Sequence, residues 1–436
     1  MEFRSFANKL IDKLPITLQR IIHMIMIEAR FAFFKTKWAH RTVDIPNPAN
    51  IYWIPTERIA YHTNYVGNRT PETVPLEDRS FPNSEKIRGK VLSGNWDVTN
   101  YKFTDLDAYR AFKERIEKGA EWRDTDFYKN ILTRIESGQY VWGLKNIADL
   151  DKRCEYFDWL YEKIKNEGYK INRSIHNKNT TFDEITVNIG RNGEYLFQDG
   201  RHRLSIAKIL GIKYVPVMVF VRHKKWMEFR KFIIFYAQSS TLGGKLYQPI
   251  VHPDLSDIPY DLQSHDYHHL MAAIARHLEK KSGIMLDIGA NLGYFCHKFE
   301  DLGYQCYAVE IDIATYQILE RIRIAENKKF EAINKSIFEV DIIKKMEFDV
   351  VLALNIFHHF LKRKTTYLQL IDLLENLKTT ELFFEPHLYS ENQMRNAYVN
   401  FTETEFVDFL FRHTSFTKSE IIYTAENGRH VFKLSK

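Results

Sequence analysis

Cysteine is scarce. The 436 residues hold three, Cys154, Cys296 and Cys306. These are too few for a disulfide framework and lack the spacing of a metal site, so no metal is expected. Such usage points to a reducing, cytoplasmic setting. A strong charge of either sign is also missing. The 62 Lys and Arg against 56 Asp and Glu leave +6, which is mild for this length and does not imply nucleic acid as a partner. No apolar run reaches the ~20 residues that cross a bilayer. No signal-peptide pattern and no internal repeat are present. What remains is the balance of a globular chain, 44% hydrophobic and 27% charged, long enough for two or three domains.

One stretch organises the chain. Ile284-Met-Leu-Asp-Ile-Gly-Ala-Asn-Leu-Gly-Tyr-Phe295 reads as a short buried strand, a glycine-rich turn and the start of a helix. The continuous apolar run suits a strand covered on both faces. Gly289 and Gly293 let the backbone turn tightly and a ligand approach. The helix over 293–302 points its free N–H groups at the same spot. Asp287 ends the strand. A second strand, Gln305 to Ile311, brings Glu310 near its own end, where a carboxylate accepts hydrogen bonds from both hydroxyls of a ribose.

The loop is D-x-G-x-N-x-G, running from Asp287 through Gly289 and Asn291 to Gly293. It resembles motif I of the class I S-adenosylmethionine methyltransferases. The resemblance runs from about Tyr267 to Lys436. Strands are expected at 330–336, 348–360 and 381–385, with 416–422 and 429–434 as a closing antiparallel pair. It implies a Rossmann-like mixed sheet of seven strands. It also implies that Asp287, Gly289 and Gly293 line the methionine side of the donor, that Glu310 holds the ribose, and that Ser336 or Ile337 lies near the adenine. Asn355, His358 and His359 would face the transferred methyl. Either histidine suits a general base for a hydroxyl acceptor, because imidazole titrates near neutrality; the plainer reading makes one a packed or capping residue. A phosphate acceptor needs no base, and then a positive neighbour such as Arg395 or His387 matters more.

The middle of the chain carries a second signal. Strands at 185–189 and 195–197 lead into Gln198-Asp-Gly-Arg-His-Arg-Leu, a helix start, followed by a strand at 214–221. Asp199, Gly200, Arg201, His202 and Arg203 place backbone N–H groups, a helix dipole and two guanidiniums together, as a polyphosphate cradle requires. The plainer reading is a helix cap with solvated arginines. This stretch resembles the ParB/sulfiredoxin-like fold, whose D-G-x-H-R helix start binds nucleotide phosphates. With no cysteine in the motif and no recognition helix, the resemblance implies an ATP site with Mg2+, of kinase type, or a degenerate module. Asp97, in Gly94-Asn-Trp-Asp97, is the candidate base or magnesium ligand, or else a cap in a buried turn.

The expected fold class is therefore α/β: an N-terminal helical arm over 1–45, an α+β nucleotide-binding domain over 46–235, a proline-marked linker over 236–265 and the methyltransferase over 266–436. The arm's helix at 17–38 is bulky and apolar, and either lies on the inner face of a membrane as a peripheral contact or docks on protein. His265, His268 and His269 read as a solvated helix start. Joined, the halves suggest an enzyme that phosphorylates and then methylates a glycan or lipid-linked glycan, by analogy of domain logic with bacterial O-antigen chain terminators. The alternatives are a methyltransferase with an acceptor-binding module and a nucleic-acid-binding regulator.

Overall fold

The computed structural model describes residues 45–82, 87–139, 141–171, 184–240, 242–262, 266–341 and 345–436. The expected helix over 17–38 and His265 lie outside them. Two compact units meet in sequence at Arg230 and Lys231. Among the described residues no helix is long and apolar enough to cross a membrane.

The first unit contains the strands β1 (Ile51–Pro55), β2 (Tyr61–His62), β3 (Val91–Leu92), β4 (Ile185–Ile189), β5 (Tyr195–Asp199) and β6 (Tyr214–His223). They form one sheet in the order β1-β6-β4-β5-β2, with β3 pairing the far end of β6. β4 and β5 are the antiparallel hairpin expected around the turn at 191–193. β2 does not reach back to β1: it is only two residues long, paired with Leu196 and Phe197. The preceding residues form a 3-10 turn at Thr56–Arg58 instead, closed by Ile59 N–H on the Thr56 carbonyl. Helices Asp107–Lys118, Asp126–Glu136, Ile147–Glu167 and Arg201–Ile209 form a helical layer. Their apolar stripes meet in a core that includes Phe112, Ile131, Phe157 and Ile206, the arrangement that 3.6-residue periodicity requires.

The second unit contains β7 (Ile284–Ile288), β8 (Gln305–Val309), β9 (Glu331–Ile333), β10 (Phe348–Leu354), β11 (Thr379–Glu385), β12 (Lys418–Thr424) and β13 (His430–Ser435). Their order in the seven-stranded sheet is β12-β13-β11-β10-β7-β8-β9. The five strands from β7 to β11 run parallel, and β13 lies antiparallel between β11 and β12. Alternate residues leave a strand on opposite faces, and the two cores follow that rule. Leu286 and Ile288 join Leu370, Leu374, Phe406 and Leu410 on one face. Met285 joins Leu270, Ile274, Phe295 and Phe299 on the other. Helices on both faces bury a parallel sheet completely, which explains the unbroken apolar runs.

The stretch expected as a linker folds onto this second unit. Leu246, Ile250, Leu255 and Ile258 are buried, and Leu246 pairs with Tyr260. Its prolines punctuate a packed loop.

Gly293 is the residue on which the helix Tyr294–Asp301 starts, at φ +79°. A Cβ there would stand 3.0 Å from Leu319 Cγ and 3.7 Å from Phe330 Cζ. Gly293→Ala is expected to lower stability by about 1–3 kcal/mol, read as a shift of the denaturant midpoint. An unchanged midpoint would contradict the packing described.

Candidate active site

The glycine loop leaves β7 and bends three times through the left-handed region, at Gly289 (φ +75°), Asn291 (+50°) and Gly293. Gly289 and Ala290 give their N–H groups to the Val309 carbonyl at 2.9 and 3.0 Å, so the loop folds across the end of β8. There the Glu310 carboxylate takes the Asn291 N–H at 2.9 Å and the Asp312 N–H at 2.8 Å. Burial raises the Glu310 carboxyl above its usual range against those two bonds. Asn334, missed in the sequence, donates its side-chain amide to the Glu310 carbonyl at 2.8 Å. Ser336 is half-buried and opens the 3-10 turn Ile337–Glu339.

Asp287 is buried at the end of β7, where Cys296 Sγ lies 3.8 Å from its carboxylate. Burial, with the Glu310 charge behind it, pushes its carboxyl up to about 7. A small cavity of about 20 Å³ opens here, at the carboxyl ends of β7, β10 and β11. It is lined by Asp287, Gly289, Leu354, Glu385, Tyr247 and Gln248 among others. Ligands of open α/β sheets bind in this position.

Tyr247 and Gln248 come from the stretch expected as a linker. Gln248 Oε1 accepts the N–H groups of Leu292 and Tyr294 at 3.2 and 3.4 Å, so these N–H groups at the helix start, expected free, already have a partner. The Tyr247 hydroxyl accepts the Asn355 amide at 2.8 Å. Asn355 stands at φ +55° just past β10, and its Oδ1 is buried with no partner among the described residues, as is Asn291 Oδ1.

The two histidines sit in different surroundings. His358 is buried, and neither ring nitrogen has a hydrogen-bond partner among the described residues. Burial, then His359 and His387, lower it to about 2. His359 is more exposed and lies 3.3 Å from Lys362 Nζ; burial and that lysine lower it to about 4. Imidazoles so weakly basic are poor general bases for a hydroxyl. His387 is likewise lowered by burial, and Arg395 is exposed. A second cation at this end, besides Lys362, is Arg429, between Glu385 (3.5 Å) and Glu391 (2.5 Å). No local spacing in the sequence signals it. His268 and His269 cap onto Asp266 through their backbone N–H groups at 3.0 and 3.1 Å.

In the first unit the expected phosphate cradle is dispersed. Asp199 accepts the Gly200 N–H at 2.7 Å. Gly200, at φ +94°, starts the helix Arg201–Ile209. Arg201 donates to the Glu77 carbonyl at 2.7 Å, whereas Arg203 pairs with buried Glu184 at 3.5 Å. His202 packs among Phe157, Phe112, Phe127 and Trp142, with ring centroids 4.3 to 5.9 Å away. Desolvation by these neighbours holds it well below its usual range, and the residue is half-buried. Asp97 is clamped by Arg191, with Nε at 2.7 Å, Nη2 at 2.6 Å and the backbone N–H at 2.7 Å. Burial raises its carboxyl, but these bonds outweigh that and leave it below the usual range. A carboxylate held this way is a structural clamp, not a base.

Residues 286–375 match the family model of the methyltransferase domain, so the second unit carries a methyltransferase domain. No curated protein matches the sequence. Among solved structures, the bifunctional kinase-methyltransferase WbdD is 18% identical, over 44% of this chain and 44% of that one, with a TM-score of 0.34. The chain thus spans less than half of WbdD. The PH0226 protein of Pyrococcus horikoshii OT3 is 17% identical over 40% of this chain and 93% of its own, with a TM-score of 0.31. Magnesium protoporphyrin IX methyltransferase of Synechocystis PCC 6803 is 11% identical over 39% and 77%, also at 0.31. At these scores none of the three bears on function.

If Asp97 is a clamp, Asp97→Ala leaves the Arg191 guanidinium beside an emptied site and lowers stability by about 3 kcal/mol. Thermal unfolding of the full chain checks this, and a variant as stable as the parent would contradict the assignment.

Proposed function

We propose that the second unit transfers a methyl group from S-adenosylmethionine. The observation that carries this reading is the Glu310 carboxylate at the end of β8, tied to the glycine loop through Asn291 N–H. A carboxylate has about four lone-pair sites, so two backbone bonds leave room for two ribose hydroxyls. The residues fit the donor in other ways. Asn291 Oδ1 and Asn355 Oδ1 are buried acceptors with no partner among the described residues, suited to donor N–H groups. Asp287 is a buried carboxylate near the site of a cationic ligand.

When bound, the donor supplies an already activated sulfonium methyl, so the chain's task is alignment of the acceptor. With His358 and His359 held neutral and weakly basic, the site suits an acceptor that arrives as a nucleophile, such as an anionic oxygen, over a hydroxyl that must lose a proton. Gln248 must leave the Leu292 and Tyr294 N–H groups if the donor's carboxylate is to use them.

A kinase in the first unit, using ATP with Mg2+, is a separate reading. Its support is the helix start at Gly200. Arg203 is paired with Glu184, Arg201 with a carbonyl and Asp97 with Arg191, so we do not adopt it. Without it, a phosphorylated glycan end has no source in this chain.

Calorimetry on the full chain is expected to show S-adenosylmethionine binding that weakens roughly tenfold or more in Glu310→Ala, since a hydrogen bond to a charged group contributes about 1.5–3 kcal/mol. Equal affinity in a folded variant would remove the reading. Asp287 gives a pH dependence. Its carboxyl is neutral below about 7, and the donor's sulfonium and ammonium favour the ionised form, so binding tightens as pH rises through that value. Asp287→Asn flattens the profile. For the donor-free fold the sign is opposite. The folded-state pKa lies above the ordinary 3.8, so this group's contribution to stability is full below 3.8 and is lost as pH rises through about 7.

A further inference from the structure

A second, larger cavity lies in the first unit, and methyl transfer has no use for it. Its volume is about 560 Å³. Five separate stretches converge on it. The 3-10 turn Leu76–Asp78 brings Glu77 and Asp78, the helix Asp107–Lys118 begins with Asp107, and the helix Asp126–Glu136 brings Phe127 and Arg134. The turn after Val141 brings Trp142, and the helix Arg201–Ile209 brings Arg201.

The groups are held in place. Arg201 is anchored by the Glu77 carbonyl at 2.7 Å. Glu77 Oε1 accepts the Asp107 N–H at 3.3 Å, and Asp107 Oδ1 accepts the Ala108 N–H at 2.6 Å. Asp107 is 7% exposed and still lines the cavity. Trp142 stands at φ +50° and is 37% exposed. Its ring is supported from within the protein by His202, edge-on with centroids 5.2 Å apart, and by Phe127 at 6.2 Å. The half-buried histidine of the Asp199–Arg203 motif thereby has a role: it props an exposed indole beside a cavity.

Charge decides the ligand class. The lining carries three carboxylates, Glu77, Asp78 and Asp107, against two guanidiniums, Arg134 and Arg201. Three negative and two positive charges leave a net −1, which repels a polyphosphate. Within that count, Arg134 faces Asp78 at 3.9 Å. A neutral polyhydroxylated ring fits the same set. Carboxylates accept from its hydroxyls, guanidiniums donate to its oxygens, and an indole face covers its C–H face. We propose that this cavity binds a neutral saccharide, with Trp142 as its platform and Glu77, Asp107 and Arg201 as its polar contacts.

The proposal does not rest on the methyl-transfer reading, because binding is measured without donor. The test is saturation-transfer NMR on the full chain, with the methyl glycosides of glucose, galactose, mannose, N-acetylglucosamine and rhamnose, and with Mg-ATP in parallel. At least one glycoside is expected to receive saturation. Its affinity should fall roughly tenfold both in Trp142→Gly, which keeps the left-handed backbone accessible, and in Asp107→Asn. The circular-dichroism spectrum and thermal unfolding of both variants should match those of the parent, which shows that they are folded. Saturation of no glycoside, or saturation equal in parent and variants, would overturn the proposal. So would Mg-ATP binding that both variants lose, since the cavity would then be a nucleotide site.

Discussion

A chain leaving β7 at Ile288 must reverse direction and begin a helix at Tyr294. It does so by taking Gly289, Asn291 and Gly293 through positive φ. L-residues enter that region at a cost, and only glycine and, less readily, asparagine adopt it routinely. This backbone constraint sets up the rest of the second unit. The bends carry the loop across the end of β8, where Val309 accepts two of its N–H groups and Glu310 a third. They also hold Gly289 so close to Ile356 that a Cβ would stand 2.9 Å from its side chain. The residues after β7 and those after β10 are thereby fixed against each other, and the cavity forms at that junction.

Burial then sets the chemistry. A carboxyl at the end of a strand covered on both faces is desolvated, and Asp287 responds by holding its proton to about 7. Glu310 is also raised, but two backbone N–H groups offset part of its desolvation. The same physics works against His358, whose charged form burial disfavours. One environment thus favours a cationic ligand beside Asp287 and denies the neighbouring imidazoles a role as strong bases.

Local order was legible in the sequence where one residue type had one physical meaning. The apolar run at Ile284–Ile288 and the stretch Ile185–Ile189 occupy the strands β7 and β4 with the same bounds, and the loop glycines stand at positive φ. The seven-stranded mixed sheet follows the methyltransferase resemblance. What stayed hidden depends on partners far apart in the chain. Pro249, Pro253 and Pro259 marked a break in regular structure, which local spacing cannot tell from a packed loop that delivers Tyr247 and Gln248. Arg201 and Arg203, two residues apart, were expected on one ligand; on a helix that spacing does not place them on one face, and they turn to Glu77 and Glu184. Asp97 looked available because its partner Arg191 is distant in sequence.

The central claim is that the donor occupies the junction of the glycine loop, Glu310 and the Tyr247–Gln248 segment. Hydrogen–deuterium exchange of the full chain with and without S-adenosylhomocysteine tests it most directly. The account predicts slower exchange at the backbone amides of Gly289 to Tyr294 and of Glu310 to Asp312, together with a changed rate over residues 245 to 250 as Gln248 yields its two N–H partners. Protection confined to other segments, or none at saturating ligand, would contradict it.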